Sequence, residues 1–263
     1  MAPPVNQKSI NKVVFGKIPT TKGQRIMLYG TGGIGKTTLA CLMPGPVAFV
    51  DADESLGILR SQLETIDAPI PVVVQVASFK DARTALQSEG WESIKTIVID
   101  TATKLEEWCV VHTLATVKND KGHNVSKIED YGFGKGYQFV YDTFLPILAD
   151  LDRHVRAGRN VVFIAHECTS NVPNPMGDDW LRYEPRLQSP KSGAGSIRLK
   201  LKEWADHVLF LGYDVAVDGK KGKGSGTRTL YCAEKPFCMA KSRTTSDQFD
   251  IELGTNPWAD IIK

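Results

Sequence analysis

Residues Gly30-Thr31-Gly32-Gly33-Ile34-Gly35-Lys36-Thr37 fill every fixed position of a G-x-x-x-x-G-K-[ST] phosphate-binding loop. The chemistry of such a run is anion capture. Glycines let successive backbone N–H groups turn inward around a phosphate without Cβ clashes. A helix that starts here points the positive end of its dipole at the same anion. Lys36 can then reach the β- and γ-phosphates, and the Thr37 hydroxyl can ligate Mg²⁺. The context is the required one: the apolar run Arg25-Ile26-Met27-Leu28-Tyr29 precedes the loop, and Thr38-Leu39-Ala40-Cys41-Leu42 continues as a helix start. A nucleoside triphosphate with Mg²⁺ is the implied ligand, held by residues Gly30 to Thr38.

A second signal is Thr96-Ile97-Val98-Ile99-Asp100, an apolar strand ending in a carboxylate. Alone it is a weak pattern. Following a complete phosphate loop, it becomes a Walker B strand, with Asp100 meeting Mg²⁺ across from Thr37. The strand at 46–51 ends in the acidic cluster Asp51-Ala52-Asp53-Glu54, whose carboxylates are candidates to polarise the attacking water. The competing role for an acid there is to cap the next helix. The strand at 160–166 ends in His166, which would sit beside the γ-phosphate on the same edge and report whether it is present.

Those side chains need a scaffold that brings strand ends together. Strand-like runs at 25–30, 46–51, 70–76, 94–100, 160–166 and 207–213 alternate with helix-like runs at 36–43, 78–89, 102–117, 135–157 and 196–205. This is the pattern of a mainly parallel sheet flanked by helices, an α/β fold. The near-continuous Val/Ile/Phe character of the strands suits burial on both faces. Strands at 46–51 and 70–76 before the Walker B strand favour an arrangement with an inserted strand between the two Walker strands, over a kinase-like one. After residue 213 short β segments at 228–233 and 237–241 follow a flexible, lysine-rich tip at 219–226 and make a C-terminal β-hairpin extension. One domain over 1–263, with a core at about 20–245 and short terminal extensions, is the simplest division.

Composition excludes several classes. The 263 residues are 42% hydrophobic and 24% charged with net charge +2, so no global field marks a nucleic-acid binder. No apolar run has the length of a membrane span, so no membrane association is expected. Cys41, Cys109, Cys168, Cys232 and Cys238 make no ligand-spaced cluster and read as reduced thiols of a cytoplasmic protein.

Together these residues resemble the RecA-like P-loop ATPases, and more narrowly the phage-type single-strand annealing or recombination ATPases with an AAA-type ATP-binding domain. The resemblance rests on GTGGIGKTT (30–38), AFVDADE (48–54), TIVIDT (96–101), Asp130-Tyr131-Gly132-Phe133-Gly134, FIAHE (163–167) and Ala240-Lys241-Ser242-Arg243. It lacks the early lysine of partition-type ATPases, because position 31 is Thr. The resemblance implies a RecA-like core and ATP hydrolysis. The family's catalytic glutamate falls on Asp53, with Glu54 adjacent, and leaves the water activator between them. Its polar sensor, often Gln, falls on His166. Lys241 and Arg243 match a basic pair that reaches the neighbouring protomer's nucleotide in related rings and filaments, so hydrolysis would depend on a homo-oligomer.

In RecA-like proteins the loops after the Walker B helix and after the sensor strand face DNA. Here these are about 118–136 and 168–198. They supply Lys118, Lys121, Lys127, Arg182, Arg186, Lys191 and Arg198 as candidate contacts, with Trp180 and Tyr183 for stacking. The leading expectation is a DNA-stimulated ATPase on single-stranded DNA in phage-style recombination. It would act in the cytoplasm of a bacterial host, with a single-strand-binding protein as a candidate partner. The alternative is a RecA-fold regulatory ATPase with protein clients, closer in logic to KaiC-type or helicase-loader proteins. A small-molecule kinase fits poorly.

Overall fold

The computed structural model describes residue 16 and residues 22–191, 195–218 and 221–262. The N-terminal extension thus lies outside the described residues apart from Gly16, as do Gly219 and Lys220 of the predicted hairpin tip. In chain order the elements are β1 (Arg25–Gly30), α1 (Lys36–Cys41), β2 (Val47–Asp51), α2 (Leu56–Thr65), β3 (Val72–Val74), α3 (Phe79–Gln87), β4 (Thr96–Asp100) and α4 (Ala102–Thr116). A short 3₁₀ turn at Ile128–Tyr131 precedes α5 (Lys135–Arg156), β5 (Asn160–Val172), β6 (Trp180–Pro185), α6 (Ile197–Trp204), β7 (His207–Asp218), β8 (Lys221–Tyr231), β9 (Gln248–Asp250) and α7 (Trp258–Ile261).

The sheet runs β3-β2-β4-β5-β1-β7-β8-β9, with β6 paired to the outer half of β5. Strands β3, β2, β4, β5, β1 and β7 are parallel to their neighbours, whereas β8 and β9 are antiparallel additions. This is the mainly parallel, RecA-like α/β architecture with a C-terminal hairpin. The inserted strand between the Walker strands is β5. The strands at 46–51 and 70–76 instead lie beyond β4, so the expected spacing holds through a different strand.

Alternation along β1 shows why the strands are apolar throughout. Met27 and Tyr29 enter the core beneath α3, α4, α5 and α6, with Phe79, Leu105, Phe144 and Leu201. Ile26 and Leu28 enter the opposite core with Leu39, Leu56 and Leu63 of α1 and α2. A strand covered on both faces has no polar side to alternate with. Two differences from the sequence reading concern short elements. The run 70–76 pairs only over Val72–Val74, as an exposed edge strand. Residues 237–241 form isolated bridges, Cys238 to Tyr183 and Lys241 to Val208, where β7 extends past the end of β8.

The C-terminal segment completes the second core. Trp258 is fully buried there with Ile251 and Ile261. Its indole Nε1 donates to the Leu39 carbonyl at 2.8 Å and the Asn256 amide donates to that of Leu42 at 3.1 Å. Both bonds fasten the segment to the helix that follows the phosphate loop.

Candidate functional site

Register brings the expected chemistry to one edge. Gly30 lies opposite His166, Asp51 opposite Asp100, and Asp100 opposite Ile164, all at the carboxyl ends of parallel strands. Ligands of open α/β sheets bind at this edge. The last residue of β1, Gly30, must be glycine, because a Cβ there would stand 2.2 Å from the Leu211 carbonyl oxygen of β7. Gly35 has φ 104°, a left-handed conformation that turns the loop into α1.

At the loop, the Lys36 ammonium donates to the carbonyls of Gly30 at 3.0 Å and Thr31 at 2.7 Å. Burial lowers the Lys36 pKa, and the charges of Asp100, Glu167 and Asp53 oppose that shift. The Thr37 hydroxyl donates to Asp100 Oδ2 at 2.8 Å. Asp100 is nearly inaccessible, and burial pushes its carboxyl up to about 6, although the Thr37 hydrogen bond pulls it down. A hydroxyl and a carboxylate meeting at one point form the hard oxygen donor pair that Mg²⁺ takes. Among the described residues no group of three His, Cys, Asp or Glu side chains could hold a metal by itself. The remaining ligands of such an ion would have to be water and phosphate oxygens, as at other phosphate-loop sites.

A cleft of about 360 Å³ opens beside the loop, lined by Gly32, Gly33 and Gly35 through Thr38, with Asp53, Asp100 and His166. Asp53 is the acidic-cluster residue that lines it; its Oδ2 lies 4.0 Å from His166 Nε2. Glu54 is exposed, has φ 53° and does not line the cleft. Asp51 has the capping role, accepting from the N–H groups of Ser55 and Leu56 at 3.2 Å each. His166 is held through its backbone: its N–H donates to the Thr103 hydroxyl and its carbonyl accepts from Arg186 N–H at 2.8 Å. Burial, then the Lys36 and Arg186 charges, keep its imidazole below the usual pKa, which favours the neutral ring.

Lys241 and Arg243 are elsewhere. Lys241 pairs with Val208, which is level with Met27, three residues upstream of the Leu211 position opposite Gly30. That is roughly 10 Å along the strand from the loop. Neither side chain lines the cleft. Arg243 Nε pairs with Asp206 at 3.1 Å while the side chain stays 67% exposed.

The candidate DNA contacts divide. Lys118, Lys121, Lys127, Arg186 and Lys191 are exposed. Arg182 and Arg198 are not free cations, and their assignment as phosphate contacts is corrected. Arg182 is buried, reaching Glu184 and, at 2.6 Å, Glu234; Arg198 pairs with the other oxygen of Glu184. Burial pushes the Glu184 carboxyl up, but hydrogen bonding from Arg182 and the two guanidinium charges hold it below its usual value. These ion pairs fasten the β5–β6 hairpin to α6. Tyr183 of β6 likewise stacks on Phe210 with ring centroids 5.1 Å apart, although it and Trp180 are equally exposed.

Three features were missed in the sequence. Glu167 follows the sensor position and acts electrostatically on Lys36. Arg228 of β8 donates from Nη1 to the Ile34 carbonyl at 2.8 Å, inside the phosphate loop. Residues Ile251–Thr255 form a wall of the cleft. Only Glu167 carried a local signal, its place in FIAHE; the others reach the loop from about 200 positions away.

Curated proteins gave no match to the chain. Among solved structures, a KaiC-like protein from the hyperthermophilic archaeon Pyrococcus horikoshii OT3 is 14% identical, with TM-score 0.49 over 89% of this chain and 87% of that one. A RadB recombinase is 18% identical, with TM-score 0.43 over 80% of each chain. A family model described as an AAA domain matches residues 22–244, most of the sequence, and the chain belongs to that family of P-loop ATPase domains.

Proposed function

We propose that the protein is a RecA-like ATPase that assembles on single-stranded DNA and promotes annealing or strand exchange in phage-type recombination. In this reading the backbone of residues 30–38 and Lys36 bind the triphosphate, and Thr37 and Asp100 hold Mg²⁺. The ion, when bound, neutralises charge on the phosphate oxygens. Asp53 polarises the attacking water, and neutral His166 registers the γ-phosphate from the next strand end. Lys241, half-buried, and Arg243, exposed, both remote from their own cleft, serve the neighbouring protomer's nucleotide, which makes hydrolysis depend on assembly.

The observation that carries the DNA half is the meeting of the two candidate loops. The Gln188 side-chain amide donates to the carbonyls of Tyr137 at 2.8 Å and Gly195 at 2.6 Å, joining the start of α5 to the segment after β6. Phe133, between two glycines, is fully exposed just before α5, and Lys118, Lys121, Lys127 and Lys191 are exposed in the same two stretches. Exposed cations with an open aromatic ring suit a single strand, whose bases offer π-faces beside its phosphates.

The protein-client alternative has its own observation. The β5–β6 hairpin exposes Met176, Trp180 and Leu181 beside Asp178 and Asp179, an apolar and acidic surface that suits protein better than phosphate. Fluorescence anisotropy of a labelled single strand, titrated with protein with and without ATP, separates the two. Salt-sensitive binding strengthened by ATP supports the DNA reading. No binding at low ionic strength overturns it in favour of a protein client.

A further inference from the structure

Beyond the phosphate loop, the cleft continues between α2 and the C-terminal strap. Ile58, Leu59 and Gln62 face it from α2, and Leu253, Gly254 and Thr255 from the strap. Ile58 is 84% exposed and Leu253 52% exposed, which leaves two large aliphatic side chains in water on the walls of one cleft. Such a slot suits a flat, largely apolar ring system.

The strap is tied to the phosphate loop by one side chain. Arg228 Nε donates to the Ile251 carbonyl at 3.1 Å while its Nη1 donates to the Ile34 carbonyl at 2.8 Å. The Ile251 N–H closes the tie by donating to the Arg228 carbonyl at 2.7 Å. Nη1 stands 2.7 Å from where a Cβ on residue 35 would be, so glycine at 35 also makes room for the guanidinium. Among the described residues Arg228 bonds to carbonyls and makes no salt bridge, on a cleft wall that also carries Glu252. At its other end the strap is held on α1 by Asn256 and Trp258. Both anchors therefore lie on the unit that grips the triphosphate.

We propose that Arg228 is a positioning residue of the nucleotide site, clipping the strap Ile251–Thr255 to the phosphate loop so that strap and α2 form the slot for the nucleoside base. The proposal rests on the nucleotide-site reading above and adds the base side to it. A rigid fork donating to two carbonyls on separate segments is a geometry that a lysine ammonium does not reproduce.

The test compares ATP with inorganic tripolyphosphate, both with Mg²⁺, by calorimetry or by displacement of a fluorescent nucleotide, in folded wild type, Arg228→Lys, Arg228→Ala and Ile58→Asp proteins. The clip predicts that Arg228→Lys and Arg228→Ala narrow the preference for ATP over tripolyphosphate by about tenfold or more. Amide exchange at 251–256 should also quicken in both. Ile58→Asp changes an exposed position and leaves Arg228 in place, so it tests the slot even if the Arg228 variants fold poorly. It should weaken ATP by about tenfold while tripolyphosphate is unaffected. An unchanged ratio in the folded variants overturns the proposal alone. Failure of the wild type to bind either ligand overturns the nucleotide-site reading and the proposal with it.

Discussion

The Thr37 hydroxyl donates to Asp100 Oδ2 at 2.8 Å, joining the last residue of the phosphate loop to the end of the second Walker strand across the intervening strand β5. A hydrogen bond between residues 63 positions apart sets the two oxygens where one cation can take both. Asp100→Asn keeps the hydrogen bond and removes the charge. Hydrolysis should fall by roughly 10²-fold or more, while nucleotide binding without Mg²⁺ stays within a few-fold. Single-turnover hydrolysis beside metal-free binding checks this, and wild-type turnover in the variant would refute the metal assignment.

Lys36→Ala and Arg243→Ala probe the two halves of the proposed shared site. The first should abolish hydrolysis and weaken ATP. The second should slow turnover by roughly 10³-fold with nearly unchanged affinity in the monomer, as expected of a cation supplied in trans. Stability should change little, since Arg243 is 67% exposed and Asp206 keeps its contacts with Arg25. Mixing the two inactive proteins should restore activity where mixed oligomers form; no recovery argues against action in trans.

Side chains on the two candidate loops should separate into binders and builders. Phe133→Ala should cost single-strand affinity about 1–3 kcal/mol and leave nucleotide binding unchanged. Arg182→Ala leaves the buried Glu184 carboxylate to Arg198 alone and should instead cost about 1.5–3 kcal/mol of stability. Anisotropy and chemical denaturation, run on both variants, distinguish the two outcomes.

Glu106 gives a stability–pH signature. Burial pushes its carboxyl from 4.5 up to about 7, against the hydrogen bond it accepts from Gln188 N–H at 2.7 Å. A raised folded-state pKa means that the fold prefers the protonated acid. Its contribution is favourable at low pH and is lost as pH rises from about 4.5 to about 7. Glu106→Gln still accepts the bond and should gain on wild type by on the order of 1–3 kcal/mol across that window. Denaturant midpoints at several pH values test it; a constant difference contradicts it.

Much of this was readable where cause and effect are local. The phosphate loop, the Asp100 strand end and the buried parallel strands each depend on a short window of sequence, and register then placed His166 opposite Gly30. Partners distant in sequence were not readable. Glu184, two residues from Arg182 on the same strand, was a legible partner for it; that Glu184 also takes Arg198, and that Glu234 reaches Arg182 from 52 positions away, was not. Arg228 was hidden because Ile34 lies 194 positions away. The run at 70–76 promised a full strand by composition, but as the sheet edge it has one neighbour and pairs over three residues.

The most direct measurement is steady-state ATP hydrolysis by the wild-type protein against protein concentration, with and without single-stranded DNA. A RecA-type site completed by its neighbour on DNA predicts turnover per protomer that rises cooperatively with concentration and increases about tenfold or more with DNA. Turnover indifferent to both would contradict assembly on single-stranded DNA and leave an ATPase that works alone.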